Sequence, residues 1–134
     1  MSDQSKKKYN IGAIISADIT IPDAGALKDF YREVIGWQSE ELRMGDNDYV
    51  DYVMKDSEGN WVGGICHAKG PNTGIPPQWI VYVNVANIKE SVEKCKKLGG
   101  KVIKEAFDQN GNYIYAMLQD PAGAVLAATH EADE

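Results

Sequence analysis

ITIPDAGALKDFYREVIGW, residues 19–37, and VNVANIKESVEKCKKLGGK, residues 83–101, lie 64 positions apart and follow one plan. Each opens on alternating β-branched residues, the signature of a strand end. Each then offers a helix start, Pro22-Asp23 in the first and Asn87 as N-cap in the second. Apolar residues recur at helical spacing: Leu27, Phe30, Tyr31 and Val34, then Ile88, Val92, Cys95 and Leu98. Glycine stops both, at Gly36 and at Gly99-Gly100.

The offset extends outward. Asp56-Ser57-Glu58-Gly59 falls on Asp120-Pro121-Ala122-Gly123, and Ile15, Ala17, Ile19 and Ile21 fall on Trp79, Val81, Val83 and Val85. Strands read as GAIISADITI, WQSEELRM, DYVDYVMK and NWVGGICH in the first half. In the second they read as QWIVYVNV, KVIKEAF, NYIYAMLQ and AVLAATH. Turn residues separate them at Gly45-Asp46-Asn47, Asp56 to Gly59, Gln109 to Gly111 and Asp120 to Gly123. The order is βαβββ, twice. The Gly- and Pro-rich stretch AKGPNTGIPP joins the halves. This gives a flexible arm over 1–8, one domain over 9–130 with modules at about 9–69 and 77–130, and a tail over 131–134.

The 134 residues suit one domain, and an apolar fraction of 43% is enough for a core. A net charge of −6 and a pI near 4.9 argue against a nucleic-acid partner, which needs a basic face. No apolar run is long enough to span a membrane, and the charged N-terminus lacks a secretory h-region. The expected location is the cytoplasm, with Cys66 and Cys95 as buried thiols that lack metal-site spacing. Nucleophile elbow, P-loop and dinucleotide fingerprints are absent from the sequence.

Two βαβββ modules carrying PDAGALKDFYREVIGW, two DxxG turns and VNVANIKESVEKCKKLGGKV resemble the vicinal oxygen chelate superfamily. That superfamily includes glyoxalase I, the extradiol dioxygenases and the bleomycin resistance proteins. The nearest likeness is to small glyoxalase-like domains with GICHAKGPN, PPQWIVYVNV and DPAGAV. The resemblance covers about residues 9–130. It implies an α+β fold in which the two tandem modules form an open, curved, eight-stranded mixed sheet around a cavity, with the helices outside. It also implies a homodimer. Metal-dependent members place His, Gln or Glu ligands on the first and fourth strand of each module. Carried over, those positions are Ser16, Gly63, Ile80 and Ala127, and none is a strong ligand. The expectation is therefore no metal and no cofactor.

The two histidines, His67 and His130, are one residue out of phase under the 64-residue offset. Strand alternation then sends them to opposite faces. His67 shares parity with Gly63 and is expected at the rim of the cavity face; His130 is expected on the surface. The same parity puts Ser16, Asp18, Asp51, Trp61, His67, Tyr82, Asn84 and Tyr115 along the cavity as candidate ligand-binding residues, and makes Met54 and Leu118 core. A few polar groups among aromatic walls suit a small organic ligand. The carboxylates of Asp18 and Asp51 would meet a cationic ligand, serve as a base, or bond local backbone and hydroxyl groups. Three readings follow. The first is a metal-free protein that binds a small organic molecule in the sheet cavity. The second is a lyase, isomerase or dioxygenase-type enzyme, either metal-free with an Asp or His base or using an atypical divalent metal site, with catalytic residues unassigned. The third is an interaction module without a ligand. Turnover is left open by the sequence.

Overall fold

The computed structural model describes residues 9–43 and 49–130. The expected arm over 1–8, the tail over 131–134 and the Gly45-Asp46-Asn47 turn lie outside the described residues. Eight strands and two helices follow in chain order. They are β1 (Ile14–Ile21), α1 (Ala24–Ile35), β2 (Gln38–Arg43), β3 (Val50–Lys55), β4 (Trp61–His67), β5 (Ile80–Asn84), α2 (Ile88–Lys97), β6 (Lys101–Phe107), β7 (Tyr113–Gln119) and β8 (Val125–Thr129). The α+β class and the repeated βαβββ order are those expected. The chain forms two compact units, one from Ser16 to Ile80 and the other from the residues up to Ile15 together with Val81 onward.

The helix signals act as written. The Asp23 carboxylate accepts the Ala26 N–H at 3.1 Å, and the Asn87 side chain accepts the Glu90 N–H at 2.9 Å. Gly36 ends α1 in the left-handed region, at φ 90°, and its N–H donates to the Arg32 carbonyl. The DxxG turns are Asx turns of one design. Asp56 Oδ1 accepts the N–H groups of Glu58 and Asn60, and Asp120 Oδ1 accepts those of Ala122 and Ala124.

In the first unit the strand order is β2-β3-β4-β1, antiparallel except for the parallel β4–β1 pair. Ile19, Met54 and Ile65 pack beneath α1 with Ala24, Leu27 and Tyr31. Trp79 Nε1 donates to the Tyr31 hydroxyl at 2.9 Å, and Trp37 closes this aromatic group. In the second unit the order is β5-β8-β7-β6, with β5–β8 parallel. Ile88 and Val92 of α2 pack on Ala116, Leu118 and Ala128. Met54 and Leu118 are thus core, as the sequence pattern requires.

The modules differ at one point. In the second, Leu118 pairs with Leu126 and Gln119 with Val125. In the first, Met54 pairs with Gly63 but Lys55 pairs with Trp61, so Val62 is an extra, bulged residue. Beyond it the repeat runs at an offset of 63, with Tyr52 opposite Ile65 where Ala116 stands opposite Ala128. This corrects two expectations. His67 corresponds to His130, not to Glu131. Its side-chain parity is also that of Ile65, toward α1, rather than toward the opposite face. The fourth-strand position of the first module shifts from Gly63 to Gly64.

Candidate functional site

Asp18 and Thr20 lie beside Gly64 and Cys66 in the parallel β1–β4 pair. Asp51 and Val53 of β3 share that face, because Tyr52 and Met54 between them enter the core under α1. Call it the inner face. It gathers two carboxylates, a hydroxyl and a thiol in the first unit.

Asp51 is only 2% exposed. Its Oδ1 accepts the His67 backbone N–H at 2.9 Å and lies 3.4 Å from His67 Nδ1. Its Oδ2 is buried and has no hydrogen-bond partner among the described residues, and neither has His67 Nδ1. A buried, incompletely paired carboxylate is costly, and such groups concentrate where ligands bind or chemistry occurs. Burial pushes the Cys66 thiol up beyond the usual thiol range. The Asp18 and Asp51 carboxylates push the same way, as does a hydrogen bond between the thiol and Asp51, and a hydrogen bond with Thr20 opposes them. The surroundings of Cys66 therefore favour the neutral thiol over the thiolate. Iodoacetamide at pH 8 should label Cys66 at least about tenfold more slowly than free cysteine, since the thiolate is the nucleophile. Peptide mass spectrometry checks this; labelling at the free-thiol rate would contradict it.

Gly64 explains where Asp18 sits. A Cβ built on Gly64 would stand 2.7 Å from Asp18 Oδ1. The carboxylate occupies the space that a side chain at this fourth-strand position would use. After the register correction, the ligand positions that the resemblance implies become Ser16, Gly64, Ile80 and Ala127. A hydroxyl, a bare backbone and two alkyl groups do not fit a divalent ion. Among the described residues, no three His, Cys, Asp or Glu side chains come together as a metal site.

The other sequence-derived candidates fall as follows. Ser16 is an exposed residue of β1 with the parity of Asp18. Trp61 begins β4 and is 69% exposed. In the second unit, Tyr82 of β5 and Tyr115 of β7 meet edge-on with ring centroids 6.1 Å apart. Asn84 is buried, and its Nδ2 donates to the carbonyls of Tyr9 and Asn10, which anchors the entry to β1. The structure joins Asp18, Asp51 and Cys66 on one face, and sets His67 against Asp51. Thr20 shares the face that strand alternation gives Asp18, whereas Cys66, Tyr49 and Tyr52 were missed by the sequence reading. The bulge at Val62 hid the parity of Cys66, and Tyr49 is recognisable only once the His67 ring is seen beside it.

The sequence pattern of the glyoxalase/bleomycin resistance protein/dioxygenase superfamily matches residues 13–127. The chain belongs to this superfamily. Among curated superfamily relatives, "Putative glyoxylase CFP32" of Mycobacterium tuberculosis is 29% identical over 122 residues, spanning 90% of this chain and 46% of the relative. "Anthracycline biosynthesis protein DnrV" of Streptomyces peucetius is 28% identical over 132 residues, spanning 90% and 47%. The chain thus spans about half the length of the curated relatives it matches. Solved structures share the superfamily fold. A Streptomyces coelicolor methylmalonyl-CoA epimerase in complex with 2-nitronate-propionyl-CoA aligns at TM-score 0.54 and 13% identity, over 92% of this chain and 99% of that one. Glyoxalase I from Zea mays aligns at TM-score 0.57 and 22% identity, over 95% and 47%. No helix among the described residues is long and apolar enough to cross a membrane.

Proposed function

We propose that this superfamily member binds a small organic molecule on the inner face of its sheet without a metal, and that the ligand carries a protonated amine. The observation that carries the reading is the buried Asp51 Oδ2 with no partner among the described residues, on the face that also holds Asp18. An ammonium supplies both charge and donors to such a carboxylate, and charge-assisted hydrogen bonds are the strong ones. The glycine at position 64 supports the metal-free part, since the fourth strand offers Asp18's carboxylate in place of a ligand side chain. Homodimerisation and a cytoplasmic location belong to the same proposal. Light scattering tests the first.

A thermal-shift screen of primary amines, with their neutral N-acetyl counterparts as controls, tests the ligand class. An amine at a hundredfold excess over its Kd should stabilise the fold by about 2.7 kcal/mol. Asp18→Asn should weaken that binding about tenfold, as loss of one charge-assisted contact does. Equal shifts from amines and acetylated controls, or an Asp18→Asn response like that of the natural chain, would contradict the reading. A second reading, a metal-free enzyme using acid–base chemistry, is favoured by one contact, that between Asp51 and His67.

A further inference from the structure

We infer that His67 is a proton-accepting base acting through Nε2, positioned by Asp51, in a site at the end of β4 that takes a planar phenol or enol. The inference goes beyond the amine reading and shares only Asp51 with it.

His67 Nδ1 is buried and faces Asp51 Oδ1 at 3.4 Å. That distance is within ion-pair range and is the loose geometry common in unliganded sites. The side chain keeps 14% exposure, and with Nδ1 buried, Nε2 is the nitrogen left to meet a ligand. Asp51 is fixed from below, because its Oδ1 also holds the His67 backbone N–H. A carboxylate at Nδ1 selects the Nδ1–H tautomer and leaves the Nε2 lone pair free. When Nε2 takes a proton, the carboxylate stabilises the imidazolium.

The surroundings define the partner. Tyr49 stands edge-on to the His67 ring at 5.5 Å, and Tyr52 lies tilted to it at 6.3 Å. The Lys69 ammonium sits 5.0 Å from the Tyr49 ring centre, and the Lys28 ammonium 4.9 Å from that of Tyr52. Two aromatic walls favour a planar molecule, and the Lys69 ammonium favours an anion once it forms, while Lys28 is paired with Asp29. The step is a simple proton transfer. The ligand O–H bond breaks, its proton joins Nε2, and the electron pair stays on oxygen as phenolate or enolate. Nothing is oxidised or reduced.

The second module isolates the role of Asp51. His130 occupies the corresponding strand end, but its Nε2 lies 3.3 Å from the Tyr113 carbonyl. A carbonyl there takes up the nitrogen that His67 leaves free. The two histidines thus differ in which ring nitrogen the protein engages, Nδ1 in His67 and Nε2 in His130.

The probe is p-nitrophenol, whose phenolate absorbs where the phenol does not. At a pH below its own ionisation, the full chain should produce a saturable rise in phenolate absorbance. His67→Gln should lose the rise, Asp51→Asn should reduce it, and His130→Gln should leave it intact. With only two histidines, long-range proton–nitrogen spectra of the unaltered chain should show His67 as the Nδ1–H tautomer, a readout that needs no variant to fold. Asp51→Asn should shift that population while His130 stays put. Binding of p-nitrophenol without phenolate, a signal retained in His67→Gln, an Nε2–H tautomer at His67, or no response at all would overturn the inference. None of these outcomes bears on the amine response, which Asp18→Asn tests by itself.

Discussion

Gly63→Ala should destabilise the fold by about 2–3 kcal/mol, the range for forcing atoms into a packed interior. The added Cβ would stand 2.7 Å from the Ala17 carbonyl oxygen and 3.4 Å from Trp79 Cζ3. The first contact is with backbone. β4 is held by β1 on one side and β3 on the other, so the strand has nowhere to move. For a chain of this size, the melting temperature should fall by about 5–12 °C. Gly64→Ala is the control. Its Cβ would also come within 2.7 Å of a neighbour, but that neighbour is Asp18 Oδ1, the end of a side chain that can rotate away. The cost should stay below about 1 kcal/mol, as for changes that disturb no buried packing. The displaced carboxylate should instead reduce amine binding. Calorimetry separates the two. Equal losses from both variants would contradict the packing described for β4.

Ile65→Ala should cost about 3–4 kcal/mol, a transfer loss plus a cavity term. Ile65 is fully buried with Ile19, Ala24 and Met54 under α1. It lies two residues from His67 and next to Cys66, so it fixes which way both point. Denaturant unfolding with an unchanged m-value is the expected signature. A loss under about 1 kcal/mol would mean the site collapses around the deletion and that β4 is less tightly anchored than drawn here.

Most of the fold was legible because each element carries its own signal. Asp23 and Asn87 cap at the 64-residue offset, Gly36 and Gly99 stop, and the strands alternate. The strand reading ran one or two residues past the observed ends, at Gly12 and Ala13 before β1 and at Gln78 and Trp79 before β5. The face of His67 was not legible, for a physical reason. Alternation is read from side chains, and Gly63 and Gly64 have none. A bulge at Val62, followed at once by two glycines, flips the parity of everything after it without changing the apparent pattern. Asp18 was legible as an inner-face residue, since β1 has no bulge. The burial of Asp51 was not, because a carboxylate on a half-buried strand reads as solvated until its neighbours are placed.

The direct test of metal-free binding is the metal content of untagged, freshly purified chain by mass spectrometry, before and after incubation with zinc, nickel, manganese and iron salts. With Ser16, Gly64, Ile80 and Ala127 at the ligand positions, the account predicts a small fraction of one metal per chain in every case. One tightly held metal per chain would contradict it, and would place the ligands on side chains other than these four.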